Sequence, residues 1–187
     1  IPEGLSYEHA AVCEPCTSVL YSQERANINA EDTVVIIGAG PIGCIQIEVA
    51  KIRGAKKIIL IEIAKERLEA AKVFGADHYI NASEVDPVEE VKKLTGGLGA
   101  DKVIIAAPSA IAQAQGIEMA RKRAVVVFFG GLPKDNPIAR VDANIIHYND
   151  LYIIGHYGQE RRHSRQALNY INEGKIDAGK IISKILP

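Results

Sequence analysis

The sequence predicts an α/β protein built on a doubly wound, six-stranded parallel sheet in the order 3-2-1-4-5-6, with helices on both faces. Three observations predict it. Strand-like and helix-like segments alternate from Thr33 to Ile154. The strand-like segments are continuous apolar runs, not alternating ones, as expected of strands buried on both faces. Single glycines follow several of the helical segments, where a left-handed residue closes a helix.

Taken in order, Ser6 is placed to cap a first helix over Tyr7-Glu8-His9-Ala10. A second helix is expected from near Glu14 to Arg25, then a turn at Ala30-Glu31-Asp32. Thr33 to Ile37 is a β-branched run and the first strand. Pro41 to Arg53 reads as a helix closed at Gly54, Lys57 to Ile61 as a strand, and Lys65 to Phe74 as a helix closed at Gly75. His78 to Ile80 is a short strand, and Pro87 to Leu94 a helix before Gly96-Gly97. Lys102 to Ile105, Ala110 to Met119 and Val125 to Phe129 continue as strand, helix, strand. A polar loop precedes a last strand over Leu151 to Ile154, and Gln159 to Asn172 is a helix closed near Gly174. Ile181 to Pro187 alternates apolar and polar residues in the manner of a strand that wants a partner, so the chain is expected to be a piece of a longer polypeptide.

Composition bounds what such a fold can do. The chain has 187 residues, 48% of them hydrophobic and 24% charged, with a formal net charge of -1. It can bury a sizeable core, which argues against disorder. The balanced charge argues against nucleic acid or an anionic membrane surface as partner. No apolar run reaches the ~18 residues of a membrane span. Three cysteines do not make a disulfide framework, so a cytoplasmic location is expected.

Gly38-Ala39-Gly40-Pro41-Ile42-Gly43 fits G-x-G-x-x-G. Alone that pattern is weak, but here it follows a buried strand and opens a helix. Gly38 allows the tight turn, Gly40 lets backbone approach a pyrophosphate, and Gly43 lets helix and strand pack closely. The helix start then offers free N–H groups to the diphosphate. Glu62, at the end of the second strand and 19 residues past Gly43, is placed to accept hydrogen bonds from an adenosine ribose diol. Its charge would repel a 2′-phosphate, so NAD(H) is expected over NADP(H), although Lys65 and Arg67 could serve a phosphate. Arg67 could also lie against the adenine face.

Other signals are weaker. Cys13-Glu14-Pro15-Cys16 has C-x-x-C spacing, which taken literally suggests zinc or redox chemistry. No second pair completes a tetrahedral site and no strand precedes it. Cys44 reads as a packed residue of the first helix after the turn. The five histidines are scattered. His156 follows the last strand at the carboxyl edge, where ligands bind in such sheets, and Gly130-Gly131-Leu132-Pro133 follows the fifth strand at the same edge.

Together these segments give the chain its likeness to a known family. They are Leu5 to Ala11, Glu14-Pro15, Asp32 to Gly43, Glu66-Arg67-Leu68, Phe74 to His78, Thr95 to Asp101, and Phe128 to Pro133. In that order they resemble the medium-chain dehydrogenase/reductase superfamily, and within it the zinc-dependent sorbitol (polyol) dehydrogenase branch. The resemblance implies a Rossmann nucleotide domain, residues 26–175, after a helical link, 1–25, from a catalytic domain, with 176–187 returning to that domain. The parent reaction it implies is reversible oxidation of a secondary alcohol, polyol or sugar, zinc polarising the oxygen and hydride passing to nicotinamide. Glu14 corresponds to a residue that binds zinc or its water. The other ligands are absent, and no metal is expected here. Gly40, Pro41 and Ile42 would cover the diphosphate, Glu62 and Arg67 hold the adenosine, and Gly130, Gly131 and Leu132 with His156 and Tyr157 flank the nicotinamide half. Relatives often read Glu-Ala-Thr-Gly where this chain has Ile105-Ala106-Ala107-Pro108, so Ala106 and Ala107 form an altered loop under the cofactor. The turn before the fifth strand, often Pro-Gly-Gly, is here Lys122-Arg123-Ala124. The resemblance further implies a homodimer or tetramer through the edge strand 151–154. A zinc-free, NADPH-dependent quinone reductase domain is the alternative, and a methyltransferase fits the Gly-Pro-Ile-Gly turn poorly.

Overall fold

The computed structural model describes residues 1–186. Six strands form one sheet: β1 (Thr33–Ile37), β2 (Lys57–Glu62), β3 (His78–Asn81), β4 (Ala100–Ile105), β5 (Ala120–Phe128) and β6 (Tyr152–Gly155). All pairs are parallel, in the order β3-β2-β1-β4-β5-β6. This is the predicted topology. Successive side chains of a strand face opposite sides. Val35, Ile37, Val103 and Ile105 therefore build one core with Val91 and Ile117, while Val34, Ile36 and Ile104 build the other with Ile47 and Phe74.

The helices are α1 (Tyr7–Ala11), α2 (Cys13–Arg25), α3 (Pro41–Ile52), α4 (Lys65–Ala70, continued by a 3-10 turn to Phe74), α5 (Pro87–Leu94), α6 (Ala110–Glu118), α7 (Ala143–Tyr148), α8 (Arg161–Asn172) and α9 (Ala178–Ile181). Ser6 caps α1 by accepting from His9 N at 3.2 Å, as its sequence position suggests. A third apolar cluster joins α2 to α3 and α8 through Val19, Leu20, Ile45, Val49, Ala167 and Ile171. Ile176 and Ala178 extend it, so both ends of the chain lie against the sheet-covering helices.

Three local readings change. The polar loop contains α7, capped by Asp142, which accepts from Asn144 N at 2.8 Å. β5 begins at Ala120, so Lys122-Arg123-Ala124 lies inside the strand. Arg123 has φ 63°, and the β4–β5 register shifts between Ala100 and Lys102, which absorbs the extra length as a bulge. Residues 181–186 are not a strand: Ile181 ends α9, and the following residues pair with no neighbouring strand. Ile185 and Leu186 are exposed there, and Pro187 lies outside the described residues. Among the described residues, no helix is long and apolar enough to cross a membrane.

Candidate functional site

The order in which strands are added reverses between β1 and β4, and the crevice at their carboxyl ends is where open α/β sheets bind ligands. The glycine turn sits on it. Gly38 has φ 110°, and a Cβ there would lie 3.3 Å from the Ala106 carbonyl. Gly43 packs harder: a Cβ would lie 1.8 Å from Gly38 O. Gly40 differs from both. Its backbone is extended (φ -71°, ψ 178°), it caps α3, and a Cβ would meet nothing within 4 Å. The space it leaves is open, beside a helix start whose first amides lack partners within the helix. Pro41 at the first helical position has no N–H to satisfy.

Glu62 is buried, and its carboxylate turns back onto the main chain. One oxygen accepts from Ala39 N at 2.8 Å; the other accepts from Ile63 N at 2.9 Å and Ala64 N at 3.1 Å. It thereby ties the end of β2 to the glycine turn. It still lines a cleft of about 430 Å³ with Gly38, Gly40, Arg67, Ala106, Ala107 and Pro108. Ile63 and Ile111, 69% and 70% exposed, are apolar walls of the same cleft. A flat apolar ring system would cover both. Sequence reading missed them, because a single apolar residue after a strand, or early in a helix, is indistinguishable from core.

A second cleft of about 750 Å³ opens between the ends of β5 and β6. Gly130, Gly131, Leu132, His156 and Tyr157 line it, together with Arg25 of α2. Gly130 is glycine for a local reason: a Cβ would lie 2.9 Å from the Ala107 carbonyl. Tyr157 is 98% exposed. His156 is buried, stacked on Phe129 at 4.7 Å and 16°, with Nε2 3.0 Å from Ser18 Oγ. Loss of water around the ring, and then the Arg25 charge, lower its pKa to about 4, so the ring is neutral at pH 7.

Not every predicted residue converges here. The Ile42 side chain packs into the α2–α8 cluster, and Gly43 lies inside the turn. Pro41 lines a second recess with Cys44, and Arg67 borders both that recess and the Glu62 cleft. Cys44 and Cys16 are buried thiols, pushed by burial up to about 11 and about 12. Cys13 donates to Ser164 O at 3.4 Å. Glu14 is exposed in the first turn of α2 and lines neither cleft. Among the described residues, no three His, Cys, Asp or Glu side chains gather as a metal ligand set. The residues around Glu14 do not make a zinc site.

The zinc-binding dehydrogenase family model matches residues 41–173, which runs from the helix after the glycine turn into the end of α8. The chain belongs to that family. It is 32% identical to the sorbitol dehydrogenase of Bacillus subtilis over 98% of its own length, but spans only 51% of that relative. A Sinorhizobium meliloti protein, described as a zinc-binding dehydrogenase and bound to NADP, superposes with a TM-score of 0.91 at 29% identity, over 98% of this chain and 54% of that one. An alcohol dehydrogenase of Escherichia coli CFT073 complexed with NADH gives 0.85 at 27% identity, over 96% and 52%. The chain thus spans about half the length of the proteins it matches.

Proposed function

We propose that this chain is the coenzyme-binding part of a zinc-dependent, NAD-linked alcohol or polyol dehydrogenase, and that alone it binds NAD(H) without turning over alcohol. The observation that carries this is the open space over Gly40, beside a helix start and above Glu62. Relatives bound to NADP and to NADH support a nicotinamide dinucleotide as the ligand class. The two clefts lie on either side of β4, which suits a ligand with two ends joined by a diphosphate.

In this reading the diphosphate lies on the α3 amides. The adenosine lies between Ile63 and Ile111, with its ribose at Glu62, which spends three of about four lone-pair positions on the main chain and keeps one for a hydroxyl. Gly130 and Gly131, with residues 155–157, flank the ring half. The nicotinamide, when bound, supplies the hydride chemistry. The residues of this chain orient that ring and exclude water from one face. Zinc and the alcohol site belong to the part of the protein beyond this chain, reached through residues 1–25 and 176–187. We further propose a homodimer or tetramer paired through β6, in the cytoplasm.

Calorimetric titration of the chain with NADH and with NADPH tests the reading. NADH binding with little or no NADPH binding is the expected result, and Glu62→Gln should narrow the difference. A preference for NADPH would make Lys65 and Arg67 the selectors and favour the quinone-reductase alternative. Turnover of sorbitol by this chain alone would contradict the assignment of chemistry elsewhere.

A further inference from the structure

One face of α2 grips the segment that closes the larger cleft. Ser18, Tyr21 and Arg25 stand at i, i+3 and i+7, in line along the helix. Arg25 Nη1 donates to Gly155 O at 2.7 Å. Ser18 Oγ donates to Gly158 O at 3.2 Å and shares a hydrogen bond with His156 Nε2 at 3.0 Å. Tyr21 fills the interval, its ring 5.5 Å from that of His156 and 5.7 Å from the Arg25 guanidinium carbon. Phe129 also stacks on His156.

The gripped segment has little else to hold it. It begins and ends with glycine, Gly158 has φ 80°, and Tyr157 between them is solvent-exposed. Its main chain is tied to the sheet by His156 N to Phe128 O at 3.1 Å. Two glycines in four residues lose much conformational freedom when ordered. Side-chain bonds from a helix that is itself packed on α3 and α8 supply the order.

We propose that the Ser18–Tyr21–Arg25 face of α2 is a positioning clamp that holds residues 155–158 in place to receive the nicotinamide half of the dinucleotide. This rests on the coenzyme reading above. The clamp touches the ring half of the site only: Arg25, Gly155, His156 and Tyr157 line the larger cleft and none lines the adenosine cleft. A pre-ordered segment spares the ligand its ordering cost, so the clamp sets affinity only for ligands that reach this end. The clamp residues and Glu14, one turn before Ser18, stand on the same helix.

The test compares two ligands on the same chain: NADH, and ADP-ribose, which has the adenosine and diphosphate but no nicotinamide. Both carry the same diphosphate charge, so a general loss of positive charge or of stability moves them together. Ser18→Ala should weaken NADH about tenfold and leave ADP-ribose within about twofold. Arg25→Met, which keeps the stem and loses the bond to Gly155, should lower the NADH-to-ADP-ribose affinity ratio in the same direction. An unchanged ratio in both variants, whether through equal weakening or through none, overturns the clamp while leaving the coenzyme reading intact. Failure of the unaltered chain to bind either ligand overturns the coenzyme reading and the clamp with it.

Discussion

Gly40 and Gly43 stand three residues apart and answer to different demands. At Gly43 the demand is internal, since a Cβ would lie 1.8 Å from Gly38 O. At Gly40 nothing in the protein occupies the space a Cβ would take, and its backbone suits any residue. Gly43→Ala is therefore expected to destabilise the fold by roughly 3 kcal/mol or more, since the turn must shift to admit the methyl. Gly40→Ala should change stability by less than about 1 kcal/mol while weakening NADH at least about tenfold, because the methyl stands where a diphosphate would lie. Thermal melts and calorimetry on the two variants check both statements. An unaffected NADH affinity in Gly40→Ala would remove the diphosphate from this turn. The spacing of these glycines made both roles legible from sequence. The roles of Glu62 were only half legible. Its distance from Gly43 marks the strand end, but nothing in the sequence says that its carboxylate binds the amides of Ala39, Ile63 and Ala64. That depends on how far the turn comes back over β2.

At the scale of elements, the β-branched runs and the closing glycines placed all six strands, because a central parallel strand cannot be polar on either face. What sequence could not place were elements decided by context. α7 has six residues, too few for a helical period to declare itself, and β5 extends through a charged stretch by means of its bulge. The run 181–186 alternates like a strand, but alternation cannot supply a partner. The seam between α2 and β6 was equally hidden, since Ser18 and His156 are 138 residues apart. It makes a pH prediction. His156 is held neutral in the fold, with its pKa lowered from 6.5 to about 4. Between those values the unfolded chain binds a proton there that the folded one does not, so this contribution is complete above pH 6.5 and is lost as pH falls toward 4. The loss approaches roughly 3 kcal/mol at most. Urea unfolding from pH 7 to pH 4 should show a steeper fall for the unaltered chain than for His156→Gln. The difference between the two curves isolates this ring from the other titrating groups, and parallel curves would mean the ring is protonated in the fold.

The whole molecule has two sheet edges, and they differ. β3 reads His78-Tyr79-Ile80-Asn81, with polar ends. β6 reads Tyr152-Ile153-Ile154-Gly155, with Tyr152 59% and Ile153 37% exposed. An exposed apolar edge with unpaired N–H and C=O groups templates further pairing unless it is charged, bulged or covered. β6 has no charge of its own, and β5 occupies its other side. Antiparallel pairing of β6 with β6 across a two-fold axis would satisfy that edge in both copies and join the two sheets into one. It would also brace Gly155, the first residue of the gripped segment, so pairing and nicotinamide binding would share a strand. Light scattering at micromolar concentration should then give at least a dimer. Ile153→Lys, which puts a charge on the edge without touching either core cluster, should give a monomer that keeps its helical signal and its affinity for ADP-ribose. A monomer in the unaltered chain, or an oligomer indifferent to Ile153→Lys, would show that β6 is not the surface that joins the copies.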